Sequence, residues 1–464
     1  MLARDGRTHE RGWAAPMSGS VGFGSGAPAQ PDLEDLRRII ARLRARTHTL
    51  RARPAAEIRD ALGRVGARFL DEADELRMRA LEVLPTEAHL SVPMARTVLD
   101  GMARDWTGER LGALLRQELG DPTLLDGLAF RPGDDSASRR LEMAVGPSLC
   151  VQIVSGSVPG VGVNALLRSL SVKAPTLLKP GAGDRVLPTL FAEGLRKEDP
   201  ALADALAVVY WPGGTTELEQ VVLDAADVAV VYGSDETVST LRARAPATTR
   251  VVTYHHRVGV GIVGRDAYPQ VVREIARSVV LFEQRGCVCP QLIYVERGGA
   301  IPPEGFALLL AEALEALERE LPGPPSTMED ASALQQLRGT AEMMAGQGGM
   351  EVHHGGQAGS WSVLFEPEPT DGPWSGPRAI RVRAVDDASL LSKLLEPLGP
   401  HLQSVGYAGL AGRAAELAEA LGRVGASRVV PFGALSFPPP WWLHDGRGPL
   451  LELLRWVELE GGVR

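Results

Sequence analysis

The sequence predicts an α/β protein built on mainly parallel β-sheet. Three observations carry this. Apolar runs of strand length alternate with helical stretches from about residue 144 onward. Several of those runs end in glycine-rich turns: SGSVPG, KPGAG, WPGG and YGSD. Ahead of them, from residue 31, apolar positions recur at helical spacing.

Residues 1 to about 30 are rich in Gly, Ser, Pro and Ala and read as a disordered leader. Leu33, Leu36, Ile40 and Leu43 then share one helical face, and Pro31 with Asp32 suits a helix start. A second helical stretch runs from about residue 55 to 84 and stops at Pro85. The alternation follows as LCVQIVSG, GVNALLRSLSVK, APTLLKPG, LPTLFAEGLRK, ALAVVYWPGG, TELEQVVLDA, ADVAVVYGSD, ETVSTLRARA and TTRVVTYHHRVGVGIVG. Parallel sheets of this kind bind ligands beyond the carboxyl ends of their strands. The glycine-rich turns are therefore expected along one sheet edge. A helix from about 268 to 283 ends at a Gln-Arg-Gly-Cys turn, PQLIYVE is a strand, and GFALLLAEALEALERELP is an amphipathic helix. WSVLFEP, RAIRVRAV and SRVVPFG are short strands. Residues 389 to 421 are helical apart from QSVGYAG, and LLELLRWVELE is read as a last helix.

A chain of 464 residues is expected to fold as two or more domains. Hydrophobic residues at 44% and charged residues at 23% are ordinary for a globular enzyme. The net charge of -9 argues against a nucleic-acid partner. No apolar run is long enough for a membrane span, and the N-terminus has no apolar core like that of a secretory signal. Three cysteines, Cys150, Cys287 and Cys289, do not make a disulfide framework. A reducing, cytoplasmic setting is the expectation.

The string FEQRGCVCPQLIYVE puts Cys287 at a glycine turn between a helix and a strand. Backbone N–H groups and a cation such as Arg285 would lower its pKa and favour a nucleophilic thiolate there. Two other readings stay open on this string alone. Cys287 could be a small buried hydrophobe, or half of a metal site with Cys289. No further ligand stands at metal spacing, and HHGG at His353 and His354 has no partner either, so no metal is expected. Two distant strings bear on the choice. Lys179 leads the Gly-rich turn of LLKPGAGD, and Gly233 with Ser234 joins an apolar strand to a helix whose free N–H groups suit a dinucleotide pyrophosphate. A G-x-G-x-x-G fingerprint is missing.

In order and spacing these strings resemble the aldehyde dehydrogenase superfamily. More closely they resemble the long-chain fatty-acyl-CoA reductases of bacterial luminescence, at SGSVPGVGVNALLRSL, YHHRV, EQRGCVCPQ and SRVVPFG…WWLHDG…LLRWVELE, from about residue 90 to the end. The resemblance implies two Rossmann-type parallel-sheet domains with an N-terminal helical region and a C-terminal tail. The implied limits are 1–30 for the leader, 31–255 for helices and cofactor domain, and 256–430 for the catalytic domain. A tail at 431–464 would pack back or lie at an oligomer interface, and a homo-oligomer is expected. Carried over by position, Cys287 is the nucleophile and Cys289 a packing residue. Lys179 takes the cofactor ribose, Gly213 lies near the nicotinamide, and Gly233 and Ser234 take the pyrophosphate. The usual acid after Lys-Pro is replaced by Gly181, Ala182 and Gly183, and Arg185 follows. That favours NADPH over NADH, with Asp184 as the opposing feature.

Two departures from the superfamily matter. The Glu-Leu-Gly-Gly string that supplies a water-activating base is absent, which points to thioester exchange rather than hydrolysis. Ser157 stands where relatives have an oxyanion-binding Asn. His256 matches the family's Tyr-Gly-His-Arg histidine and is assigned proton transfer. The expected reaction is reduction of an acyl-CoA or acyl-carrier thioester to an aldehyde through a thioester on Cys287. The alternatives are a non-acylating aldehyde dehydrogenase, a cofactor-free acyl-transfer protein, and a non-catalytic scaffold.

Overall fold

The structure is a computed structural model and describes residues 30–130, 140–325, 328–346, 350–356, 360–367 and 378–460. The expected leader lies outside these residues apart from Gln30. Strands in chain order are β1 (Ala129–Phe130), β2 (Leu141–Val145), β3 (Cys150–Ile153), β4 (Thr176–Lys179) and β5 (Leu206–Val208). Then come β6 (Val228–Tyr232), β7 (Arg250–Tyr254), β8 (Val258–Val263), β9 (Pro290–Glu296) and β10 (Glu351–Gly355). The last are β11 (Trp361–Glu366), β12 (Ala379–Val385), β13 (Leu402–Ala408), β14 (Arg428–Pro431) and β15 (Arg455–Leu459).

They form three sheets. The first is wholly parallel, in the order β5-β4-β3-β6-β7. Its central strands β3 and β4 are buried at every position, which is why they read as continuous apolar runs rather than alternating ones. The second sheet runs β10-β11-β12-β9-β8-β13-β14, parallel except for the edge strand β10. The third is a small antiparallel sheet, β1-β2-β15.

Helices cover the first sheet on both faces. Helix Leu33–Ala45 is capped by Asp32, whose carboxylate accepts the Asp35 N–H at 2.7 Å. It buries Leu36, Ile40 and Leu43 against Val151, Leu177 and Ala207 of the sheet. Helices Ala55–Arg68, Val161–Ser171 and Val186–Glu198 pack in the large core on the other face. The four glycine-rich turns follow β3, β4, β5 and β6, so they share one edge of a parallel sheet. Their glycines are required where the turns touch. A Cβ on Gly181 would lie 2.1 Å from the Gly156 nitrogen.

Several local expectations need correction. The stretch from 55 to 84 is two helices, Ala55–Arg68 and Glu75–Glu87, the second started by Asp74. Pro85 lies inside the last turn of the second helix rather than ending it. TTRVVTYHHRVGVGIVG holds two strands, β7 and β8, which belong to different sheets, and His255, His256 and Arg257 make the crossing. LLELLRWVELE is a 3₁₀ turn, Leu451–Leu453, followed by strand β15. Pairing along the whole of β2 overrides the helical propensity of that string. His353 and His354 sit on the edge strand β10.

Candidate active site

Cys287 lies on the short connection into β9. The chain upstream is pinned in an uncommon conformation. Phe282, Glu283 and Gln284 have φ of 56°, 54° and 59° in succession, which non-glycine residues adopt only when their surroundings enforce it. The enforcement is visible. Both Glu283 carboxylate oxygens accept from Arg378 at 2.7 and 2.8 Å, and Arg378 also donates to Glu318 at 2.7 Å and to the Leu321 carbonyl at 2.9 Å. The Gln284 amide is held by Pro290 and Ala379. Glu283 and Arg378 are both fully buried.

Beside Cys287 opens a cavity of about 110 Å³. Its walls are largely apolar: Met102, Val158, Val161, Phe282, Phe437 and Trp442, among others. The polar lining includes Asn164, Arg168, Tyr232 and His444. Asn164 has a fixed orientation. The Trp106 indole N–H, which can only donate, meets its Oδ1 at 2.8 Å. The Asn164 NH₂ therefore points the other way.

His444 arrives from the C-terminal tail on a tight turn. Asp445 and Gly446 have φ of 54° and 76°, and the Arg447 N–H closes on the His444 carbonyl at 3.1 Å. An Asp-Gly pair with both φ positive is the sequence preference of a type I′ turn. The His444 ring stacks on Tyr254 at 4.2 Å and on Trp442 at 4.5 Å. Burial and the cations Arg168, Arg257 and Arg447 keep it neutral, well below the usual histidine pKa. Its Nδ1 is buried with no hydrogen-bond partner among the described residues.

The Asp445 side chain follows, buried. Arg257 pairs with it at 2.9 Å and Gln403 donates to it at 2.6 Å. This pair shapes the thiol. Cys287 is partly exposed, yet burial, with the Asp445 charge second, pushes its pKa up to about 12. Gln403, the backbone N–H of Cys287 and Arg257 offset this only in part. The lowered pKa expected from Arg285 is not found, because that guanidinium turns away to the Ala88 carbonyl at 3.1 Å. Cys289 is buried, its thiol donating to the Leu281 carbonyl at 3.3 Å.

The other sequence candidates divide. Lys179 ends β4, mostly buried, with its Nζ 5.8 Å from the Tyr210 ring centre and its pKa lowered by burial. Gly213 stands in open space, with nothing within 4 Å of where a Cβ would be. Gly233 precedes Ser234, which caps helix Asp235–Arg244. These residues belong to the same sheet edge. Arg185 is engaged by Glu87 at 3.2 Å and by the Tyr210 ring at 4.9 Å. Asp184 is turned inward, accepting the N–H groups of Gly160 and Gly162 at 2.7 and 2.6 Å, and burial pushes its pKa up to about 8.

Two candidates are not brought to the cavity. Ser157 is exposed and bonds Ser155 at 2.9 Å. His256 is exposed at the crossing between sheets, where its N–H donates to Asp235 at 3.2 Å. Asn164 and His444 are the amide and the imidazole that line the cavity. Sequence reading left Asn164 unremarked, since it is one polar residue within an apolar helix. For the string WWLHDG the sequence suggests packing of the C-terminal tail, with a place near the substrate as the alternative.

The comparisons bear on the family and the fold. A long-chain acyl-protein thioester reductase of Photorhabdus laumondii is 22% identical over 355 residues, covering 75% of this chain and 70% of its own. One of the same description from Aliivibrio fischeri is 22% identical over 401 residues, covering 85% and 80%. Among solved structures, an NAD-dependent aldehyde dehydrogenase from Sinorhizobium meliloti superimposes with a TM-score of 0.72 at 15% identity, over 93% of this chain and 88% of its own. The fold is thus that of the aldehyde dehydrogenases. The family model described as acyl-CoA reductase (LuxC) matches residues 51–456, and this chain belongs to that family.

Proposed function

We propose that this protein reduces an acyl thioester to an aldehyde through a covalent thioester on Cys287. One observation carries the reading. Cys287, partly exposed, opens onto a largely apolar cavity of about 110 Å³ that is also lined by His444, whose buried Nδ1 has no hydrogen-bond partner among the described residues. Such a cavity suits an aliphatic acyl chain. The names of the relatives point to the same substrate class.

The chain's own residues account for the acylation step. The resting thiol is neutral, so attack on the thioester must be coupled to removal of its proton. His444 is neutral, and its Nδ1 can accept that proton. Asp445 Oδ1, 3.9 Å from the His444 Nε2, stabilises the imidazolium that results. The same proton is then available to the departing carrier thiolate. The Asn164 NH₂ faces the cavity as a donor for the developing oxyanion, in place of Ser157. The absence of a Glu-Leu-Gly-Gly base leaves the acyl-enzyme without a dedicated route to hydrolysis.

The first sheet's edge fits a nicotinamide dinucleotide. Lys179 has no carboxylate pair among the described residues and would meet the ribose hydroxyls. Gly213 leaves open space, and Ser234 heads a helix whose N–H groups suit the pyrophosphate. When bound, the cofactor supplies the hydride that converts the thioester to the aldehyde level. NADPH is favoured over NADH. Asp184 is turned away, Gly181, Ala182 and Gly183 carry no charge, and the Arg185 guanidinium, over Tyr210, would have to exchange its Glu87 partner for the 2′-phosphate.

The test combines the purified chain with a long-chain acyl-CoA, or the same acyl group on a carrier protein, with and without NADPH. The expected result is an acyl adduct on Cys287 without NADPH, and aldehyde formation with NADPH consumption when it is added. An adduct that consumes neither NADPH nor NADH would leave acyl transfer as the function. Full activity in Cys287→Ala would overturn the site.

A further inference from the structure

We propose that Asp235, His255 and His401 form a binding site for a divalent transition-metal ion of the zinc class. The site lies where the first sheet meets the second. Asp235 opens the helix after β6, His255 follows β7, and His401 precedes β13. Sequence alone does not group them, because His401 is far along the chain and belongs to the other sheet.

The three side chains converge at distances a zinc-class ion can bridge. One ligand atom from each of the three residues lies within 4.8 Å of the others. His255 Nδ1 is 3.4 Å from one Asp235 oxygen and His401 Nε2 is 3.9 Å from the other. Zinc bonds of about 2.0–2.2 Å at tetrahedral angles separate adjacent ligand atoms by about 3.3–3.5 Å. Rotation of the exposed Asp235 side chain closes the difference. The two imidazole rings stand at 84° to one another, 5.6 Å apart.

Outer contacts prepare His401 as a ligand. Its Nδ1 lies 3.1 Å from the His256 carbonyl, which can only accept, so Nδ1 carries the hydrogen and Nε2 presents its lone pair to Asp235, whereas the His255 Nδ1 meets the same carbonyl at 3.2 Å and must pass its hydrogen to Nε2 before it can bind an ion. Two imidazoles and one carboxylate favour zinc, cobalt or nickel over magnesium or calcium, which prefer all-oxygen sites. The other histidine pair is unlike this one. His353 and His354 each face a single glutamate at 3.8 Å. An ion at the proposed site would also fasten the crossing segment, where Arg257 holds Asp445 and donates to the Pro400 carbonyl beside His401.

The experiment uses the full chain carrying Cys287→Ala, so that the thiol cannot take the metal. Zinc chloride is titrated calorimetrically, and cobalt chloride is followed by its visible spectrum. Binding of one ion with a tetrahedral cobalt spectrum is expected, with a rise in Tm on adding zinc. His401→Ala and His255→Ala should each weaken zinc at least about tenfold, whereas His353→Ala should not. Asp235→Asn keeps the side-chain shape and decides the matter should a histidine variant fold poorly. Absence of binding to the Cys287→Ala chain, or unchanged affinity in Asp235→Asn and His401→Ala, would overturn the site.

Discussion

The raised pKa of Cys287 makes a kinetic prediction that separates thiol reactivity from catalysis. At pH 8 an ordinary thiol of pKa 9.0 is about one-tenth ionised, whereas Cys287, at about 12, is ionised to about 10⁻⁴. That lowers the thiolate population about a thousandfold. A more basic thiolate is also a better nucleophile, by about 20-fold over three units. Iodoacetamide should therefore alkylate Cys287 about 50-fold more slowly than free cysteine. Its rate should rise about tenfold per pH unit with no plateau below about pH 12. Cys150 and Cys289 are buried, so peptide mapping isolates the reaction at Cys287. Asp445→Asn removes a charge that opposes the thiolate, so alkylation should accelerate. His444→Gln should leave alkylation unchanged and slow acyl transfer from acyl-CoA by about 10²–10⁴. Alkylation of the parent protein at the rate of free cysteine would refute the raised pKa. Equal loss of both reactions in His444→Gln would refute base-coupled attack.

Three further outcomes follow from the same geometry. Asn164→Ala should lower turnover about 10²–10³-fold while leaving the fold intact, measured by steady-state kinetics beside circular dichroism. Val161→Trp should fill part of the apolar wall and shift preference towards shorter acyl chains, read from kcat/KM across a chain-length series. Arg378→Met should destabilise the protein by about 3–5 kcal/mol in urea, because it strands the buried Glu283 charge beneath the nucleophile loop. A loss below about 1 kcal/mol would show that the loop is held by something else.

The sequence by itself determined what depends on neighbours along the chain. Strands β3, β4 and β6 are legible because burial on both faces demands unbroken apolar runs. The turns at Gly156 and Gly181 are legible because only glycine permits the close approach of two backbones. Lys179 stands out because it ends a parallel strand, where such a sheet places its ligands, and Cys287 because a glycine turn carries it between a helix and a strand. The tertiary structure decided the rest. The helical propensity of LLELLRWVELE lost to pairing with β2, a partner the local string does not encode. His256 matched a motif yet lies exposed, while the Asp-Gly turn of the tail carries His444 to the cavity. Asn164 gained its orientation from Trp106, on a separate element. The thiol pKa shows the difference most directly. A glycine turn and a nearby arginine suggest a low value, but burial and the charge of Asp445 set a high one. Desolvation and Coulomb interactions act through space, between groups that only the packed fold brings together.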